Sequence, residues 1–166
     1  MANGVNFSPE APASPDDSTV TAGEFWPAID VNHFRDALRI GGTTVAHPRL
    51  VEALQAAMFA VEDQLAGWQA TQIAATYDTL AAVPSTVITE AAEDVPAETK
   101  LTMTWRRAVY HTAGADLCET NRDLTVTPTG AARADEQAPT ATDYRRNATH
   151  AIRDILGKTR TKVSLI

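Results

Sequence analysis

The sequence predicts an all-α fold: a small bundle of three to four helices with an extended N-terminal arm and an extended C-terminal tail. Two observations carry this prediction. An apolar stripe repeats at helical spacing between residues 50 and 68, and three further segments show the caps and periods of helices. The length of 166 residues suits one domain that buries a core of its own.

The chain divides by composition into three parts. Residues 1–24 are rich in Pro, Ser, Ala and Asp and show no apolar period, which predicts a flexible arm. Residues 25–157 carry the helical patterns and form the predicted domain. Residues 158–166 follow the last helix and form the predicted tail.

The first helix is expected to begin after Asp30, whose carboxylate is a good N-cap. Ile29 before the cap can pack against Phe34 in the first turn. The apolar face of this helix consists of Val31, Phe34, Ala37 and Leu38. The Gly41-Gly42 pair is expected to end it.

The second helix is the clearest in the chain. Pro48 stands at its opening, where a missing N–H costs nothing. Its apolar residues follow at spacings of four, four, three, four and three: Leu50, Leu54, Met58, Val61, Leu65 and Trp68. This stripe is about five turns long and predicts a core-facing helix.

The segment after the second helix has a weaker pattern. Its Thr, Val and Pro content favours extended or irregular chain, with a short strand at 86–89. A helix over 71–82 is the alternative, because Ile73, Tyr77 and Leu80 fit a helical period.

Two more helices complete the bundle. The third follows Pro96, and its apolar residues cover a wide arc, which predicts burial on more than one side: Leu101, Trp105, Ala108, Val109, Ala113 and Leu117. Residues 125–142 lack a period and are expected to form a surface loop or linker. The last helix is expected to begin at Thr142 or Asp143 as the cap and to end at Gly157.

No residue pattern indicates catalysis, a metal or a cofactor. The four histidines are not spaced as metal ligands, and Cys118 is the only cysteine, which favours a structural thiol and an intracellular setting. No apolar run approaches the ~20 residues that cross a bilayer, so no membrane partner is expected. We therefore predict that the protein is not an enzyme.

Charge is unevenly spread along a chain with a net charge of -7. Residues 1–30 contain five acids and no Lys or Arg, whereas residues 145–166 contain six Lys or Arg and one acid. Oppositely charged ends can pair within one subunit or between copies. The acidic total argues against tight, sequence-independent binding of nucleic acid.

Two helical turns place an aromatic residue before paired arginines. One contains Trp105, Arg106 and Arg107, and the other contains Tyr144, Arg145 and Arg146. Since adjacent helix positions point about 100° apart, the aromatic can face the core while an arginine faces outward. The arginines either keep a core-facing helix soluble or form a subunit interface, since Arg and aromatics are enriched at protein contacts. Nucleic-acid contact is a third, less favoured interpretation.

The C-terminal tail combines basic residues with a bare apolar end, which is unusual at a chain terminus. Its nine residues are Lys158, Thr159, Arg160, Thr161, Lys162, Val163, Ser164, Leu165 and Ile166. If extended, they reach about 30 Å. They could fold back as an edge strand, remain frayed, or add a strand to another protein.

The order of these segments resembles one protein family. The stretches "FWPAIDVNHFRDALRI", "RLVEALQAAMFAVEDQLAGWQ", "YDTLAAVP", "LTMTWRRAVYHTAGADL" and "DILGKTRTKVSLI" occur in the order found in the GpL-type head completion and stabilisation proteins of contractile-tailed phages. The resemblance runs from residue 25 to residue 166 and leaves out the N-terminal arm and the 125–142 segment.

The resemblance implies a structural virion protein at the head–tail junction, assembled in the host cytoplasm. Related adaptors form a ring of about twelve copies beneath the portal. They retain packaged DNA and offer a platform for a tail-side connector or tail terminator. In these adaptors the C-terminal segment docks on the portal, which implies that residues 158–166 bind the portal here. DNA would pass the channel without specific binding.

Two other function classes stay open. A small helical binding module, such as an assembly chaperone, would have the same composition and would form a fixed low-order complex. A nucleic-acid-binding regulator would use the two aromatic–Arg–Arg turns and would show salt-dependent DNA affinity.

Overall fold

The computed structural model describes residues 14–40, 45–89, 98–122 and 139–158. Within these ranges lie four α-helices: α1 (Val31–Ala37), α2 (His47–Ala74), α3 (Lys100–Arg122) and α4 (Ala141–Ile155). A 3₁₀ turn spans Leu80–Ala82. Two antiparallel ribbons pair β1 (Thr19–Val20) with β2 (Ile29–Asp30), and β3 (Val87–Thr89) with β4 (Glu98–Thr99). The predicted all-α bundle is confirmed, because the strands are short additions to its helices.

Helix α3 is the centre of the bundle. It packs extensively against α4 and against α2, while α2 and α4 contact each other only sparsely. As its wide apolar arc predicts, α3 is buried on more than one side, and Trp105, Ala108, Val109 and Ala113 are fully enclosed. Any residue on α3 therefore has a defined position relative to both neighbouring helices.

Residues 14–24 belong to the packed domain, although composition assigned them to the flexible arm. Val20 pairs with Ile29 across the first ribbon, and both side chains are buried. The Val31 N–H donates to the Ser18 carbonyl at 2.9 Å, which ties this segment to the start of α1. Because the apolar residues here are few, no periodic pattern marks the segment. Residues 1–13 of the predicted arm lie outside the described ranges.

Helix α1 begins as predicted and ends earlier. The Asp30 carboxylate accepts a hydrogen bond from the His33 N–H at 2.9 Å, so the cap is confirmed. The helix stops at Ala37, where Arg39 adopts a left-handed φ of 55°. The Ile40 N–H then donates to the Arg35 carbonyl and completes a Schellman motif. The prediction that Gly41-Gly42 ends this helix is wrong, and that pair lies outside the described residues.

Helix α2 buries the predicted stripe. Leu50, Leu54, Met58, Val61 and Leu65 are fully enclosed, and Trp68 packs half-buried against the same core. The helix ends at Ala74, with Thr76 at φ 73° in a second Schellman motif.

The segment after α2 is irregular, with a 3₁₀ turn at Leu80–Ala82 and a short strand at Val87–Thr89. The alternative helix over 71–82 is correct only for its first four residues, which close α2. The predicted strand at 86–89 is confirmed in β3, which pairs with β4 through an irregular register.

Helix α4 has a stronger N-terminal cap than the sequence suggested. The cap is Thr140, not Thr142 or Asp143, and the Asp143 carboxylate accepts a hydrogen bond from the Thr140 N–H at 3.1 Å in a capping box. At the other end Gly157 has φ 65°, and the Lys158 N–H donates to the Arg153 carbonyl at 2.9 Å. The prediction that α4 ends at Gly157 is confirmed.

Candidate portal and subunit interfaces

The C-terminal end of α4 leads into exposed chain. Gly157 is exposed, and a Cβ added there would meet no atom within 4 Å. Glycine is therefore favoured at this position by its left-handed φ, and steric crowding plays no part. Lys158 is exposed and is the only residue of the predicted portal-binding segment that the structure describes. Residues 159–166 lie outside the described ranges.

The first aromatic–Arg–Arg turn lies in the N-terminal half of α3. Trp105 is fully buried, whereas Arg106 pairs with Glu98 of β4 at 2.5 Å. Both partners of this ion pair are about a third exposed, at 35% and 27%. Arg107 is exposed and has no ion-pair partner within the described part of the chain. Arg106 thus fastens the second ribbon to α3, and Arg107 points into solvent.

The second turn opens α4. Tyr144 is buried against α3, while Arg145 forms an ion pair with Glu119 of that helix. Arg146 pairs with Asp143 at 2.9 Å, and its side chain is 61% exposed. The hydrogen bonds from Thr140 and the charge of Arg146 lower the pKa of Asp143 below its usual range. Arg145 therefore connects α4 to α3, Arg146 pairs within α4, and both side chains remain largely exposed.

The structure does not bring the two arginine pairs together. Glu119, which holds Arg145, lies about 20 Å along α3 from Arg106. His111 links the two turns instead, because it lies one turn beyond Arg107 and its ring is 5.6 Å from the ring of Tyr144. Burial, and then the charge of Arg107, lower the pKa of His111.

The histidines and the cysteine form no chemical centre in the described residues. His33 Nδ1 lies 2.7 Å from the Tyr110 hydroxyl, which is a structural hydrogen bond. Burial, and then Glu119, raise the pKa of the Cys118 thiol, which disfavours the nucleophilic thiolate. Cys118 is half-buried, so the thiol is less enclosed than the sequence suggested. Within the described ranges, no group of three His, Cys, Asp or Glu residues could hold a metal ion.

Sequence reasoning missed an aromatic stack that joins the first ribbon to the bundle. Trp26 stacks on Trp105 with ring centroids 4.1 Å apart and on Trp68 at 6.3 Å. Phe25 packs edge-on against Trp26, and its carbonyl accepts a hydrogen bond from the Leu80 N–H at 2.8 Å. The Phe-Trp-Pro stretch was the available signal, but its partners are distant in sequence.

Sequence reasoning also missed four exposed apolar side chains and a groove. Phe59 and Ile73 on α2 are 58% and 47% exposed, and Val87 and Ile88 on β3 are 47% and 49% exposed. A groove of about 370 Å³ runs over α3 between α2 and α4, with apolar walls at Ala148 and Ile152 and with Arg145 at its edge. Exposed apolar side chains and grooves of this kind suit protein contacts.

No helix in the described ranges is long and apolar enough to cross a membrane.

A small helical body that exposes apolar and charged side chains is typical of a protein that acts through contacts with other proteins. The comparisons agree. The family model of the phage head completion protein (GPL) matches residues 20–166. The head completion/stabilization protein of Escherichia phage P2 is 32% identical over 142 residues, which cover 86% of this chain and 79% of the relative. No solved structure matches.

The chain belongs to the phage head completion protein family. Its family membership gives it a structural role in the phage head, and it confirms the resemblance that the order of segments had indicated. The family is structural and is not known for catalysis.

Proposed function

We propose that this protein is the adaptor between head and tail: a ring beneath the portal that retains packaged DNA and receives the tail. The observation that carries the proposal is the end of α4. The Schellman motif at Gly157 stops the helix at the surface, and the sequence then continues with nine residues that lack a helical period: three basic, three apolar and three with hydroxyl groups. A segment of this composition, if extended, can add a strand to a partner.

The tail, residues 158–166, supplies both parts of such an interaction. Its backbone provides the affinity of strand addition, and Val163 and Leu165 lie on one side of an extended chain. Lys158, Arg160 and Lys162 would steer the segment toward an acidic rim on the portal. The ring is expected to hold about twelve copies.

The test mixes the purified protein with its cognate portal and determines the mass of the complex. The full chain is expected to give about one copy per portal subunit, and a chain truncated after Gly157 is expected to give none. Leu165→Asn should weaken binding, whereas Ser164→Asn, on the opposite side of the strand and likewise without a change of charge, should not. Thermal melting of each variant checks that the helical domain is intact.

Each outcome separates the adaptor from its alternative. If the full chain does not bind the portal, the adaptor function is refuted and a small assembly chaperone that forms a fixed low-order complex is favoured. If the truncated chain binds as well as the full chain, the adaptor function survives and the portal-binding role of residues 158–166 is refuted.

The passage of DNA through the ring is part of the same proposal. An acidic chain repels the duplex, so DNA could slide through without sticking. Binding of the ring to duplex DNA is expected to be weak even at low salt, as measured by fluorescence anisotropy. Tight binding that falls steeply with salt would instead support a nucleic-acid-binding protein.

A further inference from the structure

The outward face of α2 carries two large apolar side chains. Phe59 and Ile73 are its two large exposed residues, and they lie about 21 Å apart along the helix. Between them on the same face are only small side chains and one carboxylate. We call this face the α2 ridge; it consists of Glu52, Phe59, Asp63, Ala66, Ala70 and Ile73, all exposed.

The charged residues of the α2 ridge, Glu52 and Asp63, are both acidic, and Arg49, three residues before Glu52, is the nearest cation along the helix. No Lys or Arg occurs between Arg49 and Lys100. The carboxylates of Glu52 and Asp63 have no ion-pair partner among the residues described. A phenylalanine between unpaired carboxylates matches a partner that brings both cations and flat apolar surface, and arginine supplies both.

The complementary charge lies in the second part of the same chain. Residues 1–99 contain 14 acids and three Lys or Arg, a net charge of -11, whereas residues 100–166 contain seven acids and 11 Lys or Arg, a net charge of +4. Three arginines of α3 and α4 are exposed, and we call them the α3–α4 arginines: Arg107, Arg145 and Arg146. Arg145 and Arg146 also pair with Glu119 and Asp143 of their own chain, and their side chains are 57% and 61% exposed.

The spacing of the charges also matches. Glu52 and Asp63 are about 16 Å apart along α2. Arg107 lies about 18 Å along α3 from Glu119, the residue that holds Arg145. Two antiparallel or parallel helices can therefore align both charge pairs at once, with Phe59 between them.

We propose that the α2 ridge of one copy docks against the α3–α4 arginines of a second copy. In this contact a guanidinium covers the ring of Phe59 while other arginines pair with Glu52 and Asp63. Because the two surfaces differ, the contact is heterologous and repeats from copy to copy, so it closes into a ring when the rotation allows. Its biological role rests on the ring proposed above.

Sedimentation of the free protein over a wide concentration range, at low ionic strength, tests the contact without the portal. The ridge variant is Phe59→Gln with Ile73→Gln, and the matched control is Val87→Gln with Ile88→Gln on β3, where the side chains are similarly exposed. The mass of the wild type and of the control should rise with concentration. The ridge variant should associate about tenfold or more weakly. Coinciding curves for wild type and ridge variant, both flat or both rising, would overturn the proposal.

A mixing experiment tests whether the two surfaces differ. The ridge variant keeps its arginines, and a variant with Arg107→Gln and Arg145→Gln keeps its ridge. Each alone should stay monomeric, and an equal mixture should form 1:1 dimers that grow no further. A dimer that the arginine changes do not weaken would show that two ridges meet each other, and would refute the contact proposed here. If the protein fails to bind the portal, the adaptor function is refuted, but the sedimentation data still test the contact between copies.

Discussion

The two aromatic–Arg–Arg turns share a sequence pattern and have different surroundings. Trp105 is fully buried in a stack with Trp26, whereas Tyr144 lies at the edge of the core at 9% exposure. Arg106 holds a ribbon through a partly buried ion pair, and Arg145 makes a more exposed pair with Glu119. The pattern thus determines which side chain turns inward, and residues from elsewhere in the chain determine how deeply it is enclosed.

The largest effect is expected from Trp105→Ala, which would open a cavity under the aromatic stack. Large-to-small substitutions of buried aromatics cost about 3–5 kcal/mol, because transfer free energy and packing are both lost. Tyr144→Ala should cost clearly less, since Tyr144 has fewer neighbours to lose at the edge of the core. Urea unfolding, followed by far-UV circular dichroism, measures both changes.

Trp105→Phe is the control for this prediction. Phenylalanine keeps a stacking ring against Trp26 and removes an indole N–H that has no hydrogen-bond partner in the described residues. It should therefore retain most of the free energy of unfolding. Equal losses for Trp105→Ala and Tyr144→Ala would show that the aromatic residues of the two turns contribute equally to the free energy of unfolding.

The contrast between the two turns also shows which parts of the fold are readable from the sequence. The α2 stripe, the Asp30 cap and the Gly157 end are local signals, because each depends on residues within a few turns of the same helix. The inward direction of Trp105 and Tyr144 is local in the same way. Each of these features could therefore be predicted from the sequence alone.

The remainder depends on contacts between distant residues. Trp26 gave no sign of its stack on Trp105, and Glu98 gave no sign of its pair with Arg106. Arg39 and Thr76 adopt left-handed φ values that glycine usually takes, so their helix ends carry no sequence signal. Of the candidate interfaces, the exposed arginines were predicted, but the exposure of Phe59 was not.

A smaller effect on the free energy of unfolding is expected from Gly114→Ala, because the added methyl group would crowd the ring of Tyr144. A Cβ at Gly114 would lie 2.9 Å from Leu38 Cδ1 and 3.3 Å from two ring atoms of Tyr144. The gain in helix propensity from Gly to Ala is about 1 kcal/mol. Displacement of the ring should exceed that gain and leave a net loss of about 1 kcal/mol.

Gly67→Ala on α2 is the matched control, since its added Cβ would meet no atom within 4 Å. That variant should gain about 0.5–1 kcal/mol. Urea midpoints of the two variants should therefore move in opposite directions. A gain for Gly114→Ala as large as that for Gly67→Ala would mean that Tyr144 yields without cost, and that the second turn is loosely packed.

The smallest effect concerns pH and the histidine that joins the two turns. Burial and the charge of Arg107 lower the pKa of His111, so the folded chain takes up this proton at lower pH than the unfolded chain. The unfolded state then binds more protons, and stability falls as pH drops below about 6.5 toward the folded-state pKa. His111→Gln should reduce this loss, and Arg107→Gln should reduce it in part. Arg146→Gln, in the second turn, should leave it unchanged. Urea midpoints between about pH 7 and 5 measure how stability changes with pH in the wild type and the three variants. Equal slopes for all four proteins would show that neither His111 nor Arg107 contributes to this pH dependence.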